Sequence, residues 1–373
     1  MTDPTDPTDP TDLTDTLSML GPGCRSCPMG VGWLRFEPSW YGEARNNGMG
    51  PLMMEKQFTG LGRKPLRLAM LGMVDGNGHP YSWSAIFNGY DREKMALCPF
   101  PAIPAYLNRE PAEAFGIDGA RVTHVWTDKP EDAPRVAAAS LIPNVVARPE
   151  DVIGEVDAVV VATDIGREHV ERCRPFVEAG LPVFVDKPLV DNAADLAVFR
   201  RWVAEGRAIL SGSGLSYARE FQPYHRGASM LGKLRFAAIT TSKSWERYGI
   251  HALSAIYPIL GPGFVSARNT GTDKRAIVHL THQSGADACV AAIDDMYGGF
   301  GCLQLCGTTD SAQVRFSDTF YAFKAQLADF VGYLRTGVRP FPWSETEELM
   351  KLVIAGIWSI EQGGREVLLE EIP

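Results

Sequence analysis

Three short stretches of this 373-residue chain place chemistry-bearing side chains just beyond apolar runs. The sharpest is Asp186-Lys187-Pro188, which follows Val183-Phe184-Val185. A lysine carried by a buried strand to the carboxyl edge of a parallel sheet stands where open α/β folds bind ligands. There it can hold a substrate oxygen, and partial desolvation shifts its proton affinity. Pro188 stiffens the exit and directs Lys187 outward; the alternative is a surface lysine in a turn. The second stretch, Gly72-Met73-Val74-Asp75-Gly76-Asn77-Gly78-His79, follows Leu66–Leu71. Glycines at such a turn let backbone N–H groups approach a pyrophosphate ahead of a helix N-terminus. The pattern is not GxGxxG, because Val74 and Asn77 stand at the second and third glycine positions, and an ordinary glycine turn is the alternative. In the third stretch, Asp128 ends the run Val122 to Trp126, a position suited to ribose hydroxyls and favouring NAD over NADP. Lys129 beside it keeps that choice open, and a solvated Asp-Lys turn is the competing reading.

These positions need a scaffold of alternating strands and helices, and the pattern supplies one. Leu66–Leu71, Val122–Trp126, Asp157–Ala162 with its unbroken apolar stretch after the aspartate, Val183–Val185 and Ile209-Leu210 read as strands. Short apolar runs of this kind are typical of parallel strands covered on both faces. Between them, Val170, Cys173 and Val177 share one helix side and stop at Gly180. Leu196, Phe199 and Val203 share another, with Asn192 as the cap and Gly206 as the stop. The expected fold class is α/β, an N-terminal doubly wound Rossmann domain over 65–213.

From about Gly214 the pattern changes. Leu234–Ser242, Ala276–Gln283, Ala288–Asp294 and Cys302–Cys306 read as strands without long intervening helices. A mostly antiparallel open sheet in a second, α+β domain over 214–373 follows. Two helices close the chain. The first carries Phe320, Phe323, Leu327, Phe330 and Leu334 at helical spacing and ends at Gly337; this stripe reads as core. The second starts with a capping box from Ser344 to Glu347 and ends at Gly363. These closing helices are candidates to pack back on the Rossmann domain. Residues 1–20, with Thr-Asp-Pro three times over, read as a disordered tail. Residues 21–64 carry no assignable pattern, and a natural start at Met53 or Met54 would make the upstream stretch a leader.

Composition narrows the partners. A formal net charge of -9 and no Lys/Arg run argue against nucleic acid or an anionic membrane. No apolar stretch approaches the roughly 20 residues that cross a bilayer. Seven cysteines are too sparse for a disulfide scaffold. Cys24 and Cys27 form a lone CxxC without a second pair, so no metal site is expected. A cytoplasmic location is the default.

From about Leu66 to its end the chain resembles the glucose–fructose oxidoreductase/inositol dehydrogenase (Gfo/Idh/MocA) family. The resemblance rests on Ala158–Ala162 followed by Thr163-Asp164 and His169, on Val185-Asp186-Lys187-Pro188 where the family usually has Glu-Lys-Pro, and on Gly249-Ile250-His251 ahead of a helix and Gly261. It implies bound NAD or NADP, hydride transfer at a CH–OH carbon of a sugar or polyol, and a homo-oligomer, dimer or tetramer, built through the C-terminal sheet. It assigns Lys187 to a place beside the nicotinamide and the reacting oxygen, and His251 to the substrate hydroxyl, whose proton it can take. On the cofactor side it implies Gly72, Asn77, Gly78, His79, Asp128, Thr163, His169 and Asp186 with Lys187. Many members carry Asp four residues before the histidine; here that position is Arg247, which with Tyr248 becomes a candidate substrate contact to a carboxylate or phosphate. The alternative function is a non-catalytic dinucleotide-binding sensor of the same fold.

Overall fold

The computed structural model describes residues 64–227 and 229–373. The expected tail, the unassigned leader, the lone CxxC and the two candidate start methionines lie outside the described residues. The first strands and helices run β1 (Leu66–Leu71), α1 (His79–Asn88), short α2 (Arg92–Met95) and α3 (Ala102–Leu107), β2 (Ala120–Trp126), α4 (Asp132–Ala139) and β3 (Asn144–Val145). They continue with β4 (Ala158–Val161), α5 (His169–Glu178), β5 (Val183–Val185), α6 (Ala193–Ala204) and β6 (Ile209–Ser211). All six strands are parallel, in the order β3-β2-β1-β4-β5-β6. This is the doubly wound order whose crevice opens at the carboxyl ends of β1 and β4, where the strand order reverses.

The local reasons are visible in the residues. All of β4 is buried, as a strand flanked by neighbours and covered on both faces requires. The Asn192 side chain accepts from Asp195 N at 2.9 Å and starts α6. Trp202 takes the fully buried place beside Leu196 and Phe199, while Val203 is only half-buried against the same core.

The second half contains β7 (Leu234–Ser242), a five-residue π-turn at Trp245–Gly249, α7 (Ile250–Leu260), β8 (Phe264–Asn269), β9 (Arg275–His282) and β10 (Asp287–Ile293). After these come β11 (Cys302–Gly307), β12 (Ser311–Arg315), α8 (Thr319–Thr336), α9 (Trp343–Glu361) and β13 (Val367–Leu368). Seven strands form one sheet, ordered β12-β11-β7-β10-β9-β8-β13. Pairing is antiparallel except between β7 and β10. The expected α/β plus antiparallel architecture is therefore what the chain adopts, with β3, β8, β12 and β13 added to the strands legible in the sequence.

α8 buries Phe320, Leu327, Phe330 and Leu334 in one core with β1, β2, β4 and α1, so it packs on the parallel sheet. The α9 capping box does not form. This helix begins at Trp343 with no side-chain cap, and Glu347 is drawn off to Arg200 at 2.9 Å and to Trp343 Nε1 at 3.2 Å. On the face of the second sheet away from α7, Arg275, Ile277 and His279 of β9 are exposed, while Ala276, Val278 and Leu280 point inward.

Candidate active site

The ends of β1, β4 and β5 meet the end of β7 and the start of α7 around one aromatic ring, Tyr248. Lys187 Nζ lies 4.8 Å from the ring centroid, and the His251 imidazole centroid also lies 4.8 Å from it in an edge contact. Two side chains separated by 64 positions in the chain thus share one ring. Both are almost completely buried, at 2% and 5% exposure.

Their electrostatic settings are opposite. Burial by itself would discharge Lys187, but Asp186 and Asp164, with a smaller push from Tyr248, outweigh it and hold its pKa above the ordinary lysine value. Asp164 Oδ2 lies 3.5 Å from Nζ, an ion pair in which that oxygen has no hydrogen-bond partner. The other oxygen accepts from Arg247 Nη2 at 2.5 Å. Burial works against the Asp164 charge, yet Lys187 and Arg247 pull its pKa down to about 2. His251 goes the other way: burial, then the Lys187, His79 and Lys243 charges, push its pKa well below the ordinary value. Its Nδ1 lies 2.8 Å from Ser213 Oγ, which itself accepts from Leu215 N at 3.3 Å. With the proton on Nδ1, Nε2 keeps a lone pair. The site therefore holds a cation and a neutral base side by side.

The glycine loop runs from β1 into α1. Gly72 has φ +89°, and a Cβ there would lie 2.6 Å from Thr163 Cγ2 at the end of β4, so both backbone and space require glycine. The amides of Val74, Asp75, Gly76 and Gly78 find no acceptor among the described residues. His79 N is taken by Asn77 Oδ1 at 2.9 Å, and Pro80 has no N–H. The free donors thus belong to the loop rather than to the first turn of α1, and a loop of unclaimed amides fits a pyrophosphate. Asn77, at the third glycine position, is buried, and its Nδ2 donates to Asp186 Oδ2 at 3.0 Å. His79 Nδ1 lies 2.5 Å from the same oxygen, its ring stacked on Trp83 at 4.2 Å. Asp186 also accepts from Lys187 N at 2.7 Å. Asp128 receives Met73 N at 2.9 Å and Arg172 Nη2 at 2.8 Å, while Lys129 turns away to Asp75 at 2.7 Å.

Two assignments change. His169 has no exposed surface, and both ring nitrogens are occupied, by Leu189 O at 3.0 Å and Thr163 O at 2.9 Å. It braces the exits of β4 and β5 from behind rather than lining the crevice, and Thr163, also fully buried, is its partner. Arg247 is committed to Asp164 and to Asp75 O at 3.3 Å, so it is no free cation. Sequence reasoning missed Asp164, Ser213 and Lys243. Asp164 had a readable signal, its place two residues beyond the apolar run of β4; Ser213 and Lys243 had only their positions at strand exits.

Comparison with known proteins bears on the fold and the family. Residues 102–211 match a family model described as Gfo/Idh/MocA, oxidoreductase family, NAD-binding Rossmann fold. Inositol 2-dehydrogenase 1 of Saccharopolyspora erythraea is 41% identical over 113 residues, 29% of this chain and 32% of that protein. The chain thus matches about a third of the length of its curated relatives. Among solved structures, myo-inositol 2-dehydrogenase from Lactobacillus plantarum superposes with a TM-score of 0.63 at 16% identity, covering 82% of this chain and 99% of that one. An Agrobacterium radiobacter oxidoreductase described in complex with NAD+, L-tartaric acid and magnesium gives 0.61 at 15% identity, covering 83% and 100%.

Proposed function

The matched nucleotide-binding segment of this chain belongs to the Gfo/Idh/MocA oxidoreductase family, and on that premise we propose that the protein is an NAD(P)-dependent dehydrogenase acting on a CH–OH carbon of a sugar, polyol or related small molecule. The observation that carries this reading is the pair at Tyr248: Lys187 held charged by Asp164 and Asp186, and His251 held neutral by burial. When bound, the nicotinamide supplies the hydride acceptor. The chain's own residues do the rest. Lys187 holds the carbinol oxygen and stabilises charge that develops on it. His251 Nε2 takes the hydroxyl proton, a transfer that an imidazole already protonated could not make. The Tyr248 ring packs against both and fixes their spacing.

The loop amides from Val74 to Gly78 would hold the pyrophosphate, and Asp128 the ribose. Asp128 supports NAD over NADP, because a carboxylate repels a 2′-phosphate; Arg172, already paired with it, does not offset that. A homo-oligomer through the exposed face of the seven-stranded sheet and a cytoplasmic location complete the proposal. Among the described residues no helix is long and apolar enough to cross a membrane.

The test is a titration of the full-length chain with NADH and NADPH, followed by absorbance at 340 nm with a panel of inositols, sugars and sugar acids. Lys187→Met is expected to bind NADH and lose turnover by at least about 10³-fold. Unchanged turnover in that variant would remove Lys187 from the chemistry. Tight NADH binding with no turnover on any substrate would favour the sensor reading.

A further inference from the structure

We propose, building on the dehydrogenase reading above, that the substrate carries a carboxylate beside its reacting carbon and that Lys243 is the residue that reads it. Lys243 sits at the turn between β7 and the π-turn with φ +60°, a left-handed backbone conformation unfavourable for a residue with a Cβ. Such conformations persist where the surrounding structure imposes them, and they concentrate at functional sites. The side chain reaches across the crevice: Nζ donates to Tyr248 Oη at 2.7 Å and to Gly76 O at 3.1 Å. It lies 4.2 Å from the Tyr248 ring centroid, the ring that Lys187 and His251 also touch.

An ammonium has three donors, and these contacts use two. No carboxylate among the described residues forms an ion pair with Lys243, whereas Lys187 and Arg247 share Asp164. Three cations face two buried carboxylates here, Asp164 and Asp186, so one positive charge is unbalanced beside a neutral His251. Arg247, one of the three, also keeps its buried Nε without a hydrogen-bond partner among the described residues. An uncharged polyol leaves that charge uncompensated. A 2-hydroxy acid compensates it while keeping its carbinol between Lys187 and His251.

The experiment uses the full-length chain at saturating NAD+ with matched pairs: glycerate and glycerol, threonate and threitol, galactonate and galactitol. The acid of a productive pair is expected to exceed its polyol in kcat/KM by at least about 10-fold. Lys243→Met is expected to raise KM for the acid by about 10- to 100-fold, with kcat changed less than about 3-fold and NADH affinity unchanged. Lys243→Arg, which keeps the charge, should retain the preference. Equal losses on acid and polyol, or a loss that falls on NADH affinity instead, would overturn the assignment and make Lys243 a structural or pyrophosphate contact. Turnover of polyols alone would overturn it while leaving the dehydrogenase reading intact. If no compound turns over, calorimetry of the acids against the NADH-bound chain decides: binding lost in Lys243→Met and kept in Lys243→Arg supports the anion site, and absence of binding refutes it.

Discussion

Replacing Asp164 by Asn isolates the charge on which the site is built. Its carboxylate has no exposed surface and is flanked by Lys187 and Arg247. A carboxyl that titrates near 3.8 in an unfolded chain and at about 2 here contributes on the order of 2 kcal/mol of stability at neutral pH. The substitution does more than remove that contribution, because it leaves two cations without their shared partner; breaking a buried pair costs about 3–5 kcal/mol. The expected loss for Asp164→Asn at pH 7 is therefore about 2–5 kcal/mol, read by urea unfolding. Because the folded carboxyl has the depressed pKa, its stabilisation is fully present above about pH 4 and disappears as pH falls through 2. The gap between wild type and variant should accordingly be constant from about pH 5 to 8 and shrink under acid conditions. Adding Lys187→Met should recover part of the loss, with a coupling of about 1–3 kcal/mol in the double-mutant cycle. A loss below about 1 kcal/mol, or single effects that add within about 0.5 kcal/mol, would mean that the two side chains do not share a desolvated ion pair.

His251→Asn should lower kcat by about 10²–10⁴-fold. In the wild type, the acid limb of kcat/KM should lie well below pH 6.5, since the neutral base is lost only as pH falls through its depressed pKa; a limb at or above 6.5 would contradict the burial argument. Asp128→Ser should shift the NAD/NADP preference toward NADP by about 10-fold, measured as the ratio of kcat/KM values, and an unchanged ratio would place the ribose elsewhere. Lys243→Gly, which relieves the left-handed backbone, should gain about 1 kcal/mol and raise Tm by about 1–2 °C while losing the acid preference. A lower Tm would show that Lys243 holds the crevice together.

What was legible in the chain follows from how local each signal is. β1, β4 and β5 announce themselves because a parallel strand must be apolar on both faces, and Asn192, Gly180 and Gly206 mark helix limits through short-range backbone chemistry. Lys187 was readable for the same reason, as the residue that follows such a run. β8 and β13 were not: the first is interrupted by Ser266 and Arg268, and the second is only two residues long. The parallel pairing of β7 with β10 depends on a register between distant segments, which no periodicity records. The Arg247–Asp164 pair spans 83 positions, so the partner that engages this candidate substrate contact is visible only in three dimensions. Likewise, the Ser344–Glu347 spacing is a sound cap signal that failed because Arg200 and Trp343 competed for Glu347.

One carboxylate, Asp186, receives Asn77 and His79 from the glycine loop and the amide of Lys187 from its own exit turn. Any settling of the loop around a bound nucleotide is therefore felt at the backbone of the residue that carries the reactive ammonium. Two ligands that meet at such a post cannot bind independently: whatever factor the first lends to the second, the second returns to the first. A dead-end hydroxylated inhibitor should then lower the Kd of NADH by the same factor by which NADH lowers the Kd of the inhibitor.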